Sequence, residues 1–202
     1  MALLMAGAVA GCASAPPAPA TPLTTTQPVV LPGEVPGIAN FARVSKVLYR
    51  GGQPSELGFQ TLHQMGVRAV LDLRGKIHHD ACEAFGLRGL QIPSSASHPD
   101  ERQIVEFLRM ARDPANQPLF VHDDHGSVRT GCYVAAYRMV EQGWSARDAE
   151  VEMHCFGFDP FWKAIPAFLD HLDVGRIRDE LRQAPQASPA GTQPANENNS
   201  CD

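Results

Sequence analysis

Val121-His122-Asp123-Asp124-His125-Gly126-Ser127-Val128-Arg129-Thr130-Gly131 is the stretch that decides how this chain folds. It grows out of Leu119-Phe120-Val121, a short, wholly apolar run of the kind that fills the centre of a sheet covered on both faces. Behind it, Thr130 to Gln142 is apolar nearly all round, so this helix is expected to be buried, with Gly143 placed to end it. A tight loop between a buried strand and a buried helix aims successive backbone N–H groups, and the positive end of the helix, at one point. Such a point attracts anions, phosphate above all. Gly126 permits the turn, and Arg129 adds a planar fork of donors that matches two phosphate oxygens. The expected phosphate-binding residues are therefore Asp124, His125, Gly126, Ser127, Val128 and Arg129.

Working outward, Val47 to Arg50 reads as a short strand and Gly51-Gly52-Gln53-Pro54 as a turn, with Pro54 or Ser55 opening a helix that ends at Gly66. Val67 to Leu73 is strongly β-prone, and Leu87 to Ile92 is a weaker strand candidate before Pro93. After Pro99, the residues Ile104, Phe107, Leu108 and Ala111 fall at helical spacing and predict one apolar face, and Pro118 stops that segment. Downstream, Ser145 is expected to cap a helix from Ala146 to Glu152. A last helix from Phe161 to Leu172 would carry Trp162, Phe168 and Leu169 into the core. Trp144 and Trp162 both read as core anchors. This alternation predicts an α/β, three-layer domain with a central, mostly parallel sheet flanked by helices and the anion-binding loop between a buried strand and a buried helix. A length of 202 residues suits one such domain. A net charge of -5 with no basic stretch argues against a nucleic-acid partner.

The loop resembles the signature of the cysteine-dependent tyrosine and dual-specificity phosphatases: a cysteine, five residues, then arginine and Ser/Thr. The likeness extends to Leu48–Pro54, Ala69–Arg74 and Tyr137–Trp144, which are similar to the small bacterial dual-specificity branch, and covers about residues 40–172. It implies a phosphatase fold that needs neither metal nor organic cofactor, and a ligand that is a phosphorylated protein or a small phosphomonoester. By the same resemblance, Arg129 binds phosphate and stabilises the transition state, Thr130 hydrogen-bonds the nucleophile, and the histidine at 122 supports the loop. The family's general acid is an aspartate on the loop after the strand that ends near Pro93, where Asp100 is the only aspartate. Asp100 also stands beside Pro99 at a helix start, a position equally suited to capping.

Where the family places its nucleophilic cysteine, this sequence has Asp123. A loop of amide dipoles lowers a thiol pKa and so makes a good nucleophile at neutral pH. A carboxylate is a weaker nucleophile with a shorter reach, and its fixed charge repels an incoming phosphate dianion. Asp123 can also pair with Arg129 and accept the loop N–H bonds itself. The expectation is a catalytically impaired phosphatase-like domain that acts as a phosphate- or phosphoprotein-binding module. The alternatives are an active phosphomonoester hydrolase, and a metal-binding protein that uses His122, Asp123, Asp124 and His125 with His78, His79 and Asp80.

The two ends read differently from the middle. Residues 1–11 are small and apolar, too few to span a bilayer as a helix, and lead directly into Cys12. Val9-Ala10-Gly11-Cys12 resembles the lipobox of bacterial lipoproteins. That resemblance implies a signal peptide over 1–11, lipidation of Cys12, and a periplasm-facing place in the cell envelope, at the outer membrane. Residues 12–37, rich in Ala, Pro and Thr, read as a tether that at about 3 Å per residue reaches on the order of 70 Å. The domain is expected over 38–182 and a disordered tail over 183–202. Of the other cysteines, Cys132 reads as a small core residue and Cys201 as part of the tail, while Cys82 and Cys155 are a candidate pair in an oxidising compartment.

Overall fold

Leu119, Phe120 and Val121 are fully buried, and the strand they begin is the centre of the molecule. The computed structural model describes residues 28–75 and 79–183. Within them, β1 (Gly33–Val35), β2 (Ile38–Arg43), β3 (Leu48–Gly51), β4 (Ala69–Asp72), β5 (Arg88–Gln91) and β6 (Leu119–His122) form one sheet in the order β1-β2-β3-β6-β4-β5. The four strands from β3 to β5 are mutually parallel, and β1 and β2 continue the sheet antiparallel. Side chains alternate across a strand, so β6 feeds two cores. Leu119 and Val121 join the larger one, with α3 (Glu101–Arg112) and α4 (Arg129–Gln142), while Phe120 packs with Phe59, Leu62 and Cys82 on the opposite face. The smaller face is covered by α1 (Glu56–Gln64) and α2 (His79–Ala84). The larger is completed by α5 (Ala146–Cys155), α6 (Ala164–Asp170) and α7 (Val174–Arg182). This is the three-layer α/β architecture read from the sequence.

Helix α4 is buried from Thr130 through Val140 and ends at Gly143, whose φ of 74° lies in the left-handed region. Its interior position explains a composition that an exposed helix would not tolerate, and makes packing rather than helix propensity its source of stability. One charged residue of α4 is also buried. Arg138 makes a two-pronged pair with Glu152 of α5 at 2.8 Å and 2.8 Å, donates to the Val44 carbonyl, and lies 4.4 Å from the centre of the Trp144 ring. At the C-terminal end of the sheet, both Gly51 and Asp72 stand opposite His122 in register. Strands β3, β4 and β6 thus end level, and the loop leaves from that edge, where open parallel sheets place their ligands.

Several boundaries differ from the sequence reading. The tether assigned to residues 12–37 includes β1, which pairs with β2, and neither strand was read from the sequence. Asn40 has a φ of 57° in the middle of β2, which breaks its alternation. Helix α5 runs on to Cys155. The helix expected from Phe161 begins only at Ala164, because the Asp159 side chain accepts from the Phe161 N–H and fixes a turn there. That turn leaves Phe161 77% exposed. Helix α7 was not expected, although Val174, Ile177 and Leu181 recur along it and Asp173 caps it. Trp144 is a core residue as read, whereas Trp162 is only partly buried and lines the cavity described below. Cys82 is buried and Cys155 exposed, each a free thiol, so the candidate pair is not formed. Buried Cys132 has its thiol pKa pushed up to about 12 by burial, in keeping with an inert core residue. The signal peptide, Cys12 and Cys201 lie outside the described residues, as does the tail beyond Gln183.

Candidate functional site

The loop from Asp123 to Val128 is held by its carbonyls. Gln53 N–H donates to the Asp124 carbonyl at 3.1 Å, Asn40 Nδ2 to that of His125 at 3.2 Å, and Arg50 Nη2 to that of Gly126 at 2.6 Å. With these carbonyls drawn outward, the amides turn inward. Gly126 has a φ of 76°, and a Cβ there would sit 2.5 Å from the Gly51 carbonyl carbon, so only glycine fits where the loop crosses the β3 turn. Buried His122 donates from Nδ1 to the Asp123 carbonyl at 3.0 Å and stacks on Phe120. Burial lowers its pKa, which keeps the ring neutral and in the supporting role expected of it.

The inward amides meet the Asp123 side chain. His125 N and Gly126 N donate to Oδ1 at 3.1 and 2.5 Å; Arg129 N and Thr130 N donate to Oδ2 at 2.9 and 3.2 Å. The Arg129 guanidinium Nε is 3.9 Å from Oδ2. Asp123 is thus buried as the acceptor in the ring of donors that its own loop provides. Beneath the loop, fully buried Arg50 stacks 3.7 Å from the centre of the Phe156 ring, and its pKa falls to about 10 because burial outweighs the nearby Glu152 and Asp123 charges. Among the described residues its Nε and Nη1 have no hydrogen-bond partner.

A second carboxylate completes the charge pattern. Asp124 Oδ2 pairs with Arg129 Nη2 at 2.5 Å and Oδ1 with Arg74 Nη1 at 3.2 Å. Arg74 is in turn clamped by Asp72, with Nε to Oδ1 at 2.9 Å and Nη2 to Oδ2 at 2.7 Å, and also donates to Gln53 Oε1. Burial works to raise the Asp124 pKa, but the Arg74 hydrogen bond and the Arg129 charge outweigh it and hold the carboxyl below its ordinary range. Above the loop opens a cavity of about 380 Å³. Its floor includes Asp123, Asp124, His125, Ser127, Val128 and Arg129, and its walls are the Ser94–Ser97 segment and Trp162.

Of the residues expected to be catalytic, Asp123, Arg129 and Thr130 converge. Thr130 meets position 123 through its backbone N–H rather than its hydroxyl, whose buried Oγ1 has no hydrogen-bond partner among the described residues. Exposed Asp100 caps α3, accepting from Arg102 N at 2.8 Å, and does not line the cavity. The geometry gives it the capping role. The four consecutive side chains of the metal reading diverge: His122 turns into the core and Asp123 into the amides. Among the described residues no cluster is placed to hold a metal ion, and His78 lies outside them. Sequence reading missed Asn40, Arg50 and Arg74. The available signals were two arginines near the ends of β3 and β4, level with the loop, and an asparagine inside β2.

A parallel sheet whose central strand feeds an amide-lined loop and an arginine on the following helix defines the class of cysteine-dependent phosphatases, here with aspartate in place of the nucleophile. Residues 34–163 match the family described as DSP-PTPase phosphatase fused to NAD+ Kinase, and the chain belongs to this dual-specificity phosphatase family. It is 30% identical over 145 residues to the dual specificity protein phosphatase TpbA of Pseudomonas aeruginosa, covering 69% of this chain and 65% of TpbA. It is 31% identical over 113 residues to the inositol diphosphatase DSP1 of rice, over 51% of this chain and 50% of that protein. The chain thus spans less than two thirds of the length of these relatives. The crystal structure of a cysteine-to-serine variant of P. aeruginosa TpbA in complex with pTyr superposes with a TM-score of 0.68 at 27% identity, covering 79% of this chain and all of that one.

Proposed function

We propose that this chain is a lipid-anchored envelope protein whose phosphatase-type domain recognises phosphorylated ligands without hydrolysing them. The observation that carries the reading is the bonding of Asp123. A carboxylate that accepts four loop N–H groups is fixed as the occupant of the site's floor, and an incoming phosphate meets a settled negative charge where the family presents a nucleophile. The ligand phosphate then seats higher, against the Arg129 guanidinium, whose side chain keeps 22% exposure at the cavity. The pTyr complex of TpbA supports a phosphoester as the ligand class. Anchoring through Cys12 is part of the same proposal and rests on the lipobox-like Val9-Ala10-Gly11-Cys12 alone.

The test is hydrolysis of p-nitrophenyl phosphate by the full chain and by its Asp123→Cys variant. The parent is expected to show no turnover above background, and the variant at least about 100-fold more, because the amide ring would then lower a thiol pKa. Turnover by the parent would sink the silent reading in favour of an active phosphatase. No turnover by a folded variant would mean that the scaffold itself is incompetent. Palmitate labelling of the chain and of a Cys12→Ala variant in a bacterial host tests the anchor. Label retained by the variant rules out Cys12 as the acylated residue.

A further inference from the structure

We infer that Asp124 is an internal competitor of the ligand: a carboxylate latch that occupies Arg129 until a stronger anion displaces it. The inference rests on the ligand-binding reading above and adds its regulation. The two carboxylates of the loop are held very differently. Asp123 is 4% exposed as a side chain and bonded to four backbone amides, so it cannot leave without orphaning buried donors. Asp124 is 48% exposed as a side chain and faces the cavity, and among the described residues its carboxylate is held only by the ion pairs with Arg74 and Arg129. Contacts of that kind are readily exchanged for another anion.

The exchange is also directional. Arg74 is 11% exposed and fixed by both oxygens of Asp72, so it stays in place and can keep Asp124 Oδ1 whatever happens to Oδ2. Arg129 is different: Asp124 takes up its Nη2, and its other contacts are the Leu73 carbonyl at 3.4 Å and Asp123 at 3.9 Å, both long. Displacing Oδ2 frees the donor fork on the cavity side while Asp124 remains tied to Arg74 behind it. The cavity of about 380 Å³ in front of that fork, with Trp162 on its wall, has room for a phosphoryl group and an aryl ring. A monoanion offers Arg129 little that Asp124 does not already give. A phosphomonoester dianion offers more charge and a second oxygen for the same fork, so the latch screens ligands by anion strength.

The experiment is calorimetric titration of free phosphotyrosine into the full chain and into its Asp124→Ala and Asp124→Asn variants, each checked for cooperative thermal unfolding, at 0.1 M and 0.5 M NaCl. If the latched form holds roughly nine-tenths of the population, removing the carboxylate tightens binding about tenfold. Asp124→Asn, which keeps a neutral acceptor beside Arg129, is expected to fall between parent and Asp124→Ala. The gain should persist at 0.5 M salt, where the screening length is about 4 Å, because the competition is a contact. A gain confined to low salt would make Asp124 a mere contributor to the local field and overturn the latch. Equal affinity in parent and variants would also overturn it while leaving the ligand reading intact. Failure of all three proteins to bind would overturn both.

Discussion

At the scale of a single residue, the proposed reading turns on Asp123, and Gly126 decides whether there is a loop for it to occupy. Gly126→Ala would place a methyl group 2.5 Å from a backbone carbon at a left-handed φ, and is expected to cost at least about 2 kcal/mol. Urea unfolding would show it as a lower midpoint at unchanged slope, and an unchanged midpoint would mean that the loop relaxes freely. Much of this site was legible in the sequence, because a loop binding an anion must show glycine where it turns and arginine where charge gathers. The support beneath it was not. Arg50 reads only as the end of a short strand, and the fold buries it against Phe156 and the Gly126 carbonyl. Asn40 carries no reading at all, and its amide bonds the carbonyls of both His125 and Phe156. Partners 85 and 116 residues away leave no local pattern.

Among the elements, the contact between α4 and α5 has most at stake, because it buries Arg138 and Glu152 together at 2% exposure each. Breaking the pair from one side with Glu152→Gln or Arg138→Met leaves an uncompensated buried charge or donor set, at an expected cost of about 3–5 kcal/mol. Replacing both with methionine should recover most of that loss in the same denaturant titration. A double variant no more stable than either single one would show that the Val44 and Trp144 contacts, rather than the pair, hold the helices. The long buried elements were plain in the sequence: β6 opens with three apolar residues, and α4 is apolar nearly all round, with Arg138 the charged residue within its buried stretch. The edge was not plain, since β1 has three residues and β2 is bent at Asn40, so neither offers a run of alternation. Helix α7 did carry a readable stripe, masked by the charged residues around Ile177.

At the scale of the whole molecule, three of the described groups couple folding to acidity in one direction. Burial lowers the pKa of His122, so the unfolded chain takes up its proton first, and stability is lost as pH falls below the unfolded value of about 6.5. Asp72 and Asp124 are also lowered: in each, burial works upward, but the Arg74 hydrogen bond and nearby positive charge outweigh it. Their contributions are complete above the unfolded carboxylate value of about 3.9 and are lost as pH falls through the folded ones. Denaturant titrations from pH 8 down to pH 3 should therefore show a first decline near neutrality and a second in strong acid. A flat profile between pH 7 and pH 5 would rule out a buried neutral His122.

The hairpin of β1 and β2 gives the fold a mechanical polarity. It is the end strip of the sheet, joined to α1 through the Gly37 carbonyl and Ser55 and through the Pro36 carbonyl and Thr61, and to the loop through Asn40. A pull on the amino-terminal side of the domain reaches these few bonds before it reaches β6. Peeling back the strip withdraws the Asn40 amide from the His125 carbonyl and lifts Ile38 and Phe41 out of the smaller core, so a load at that end is felt at the loop before β6 parts from its neighbours.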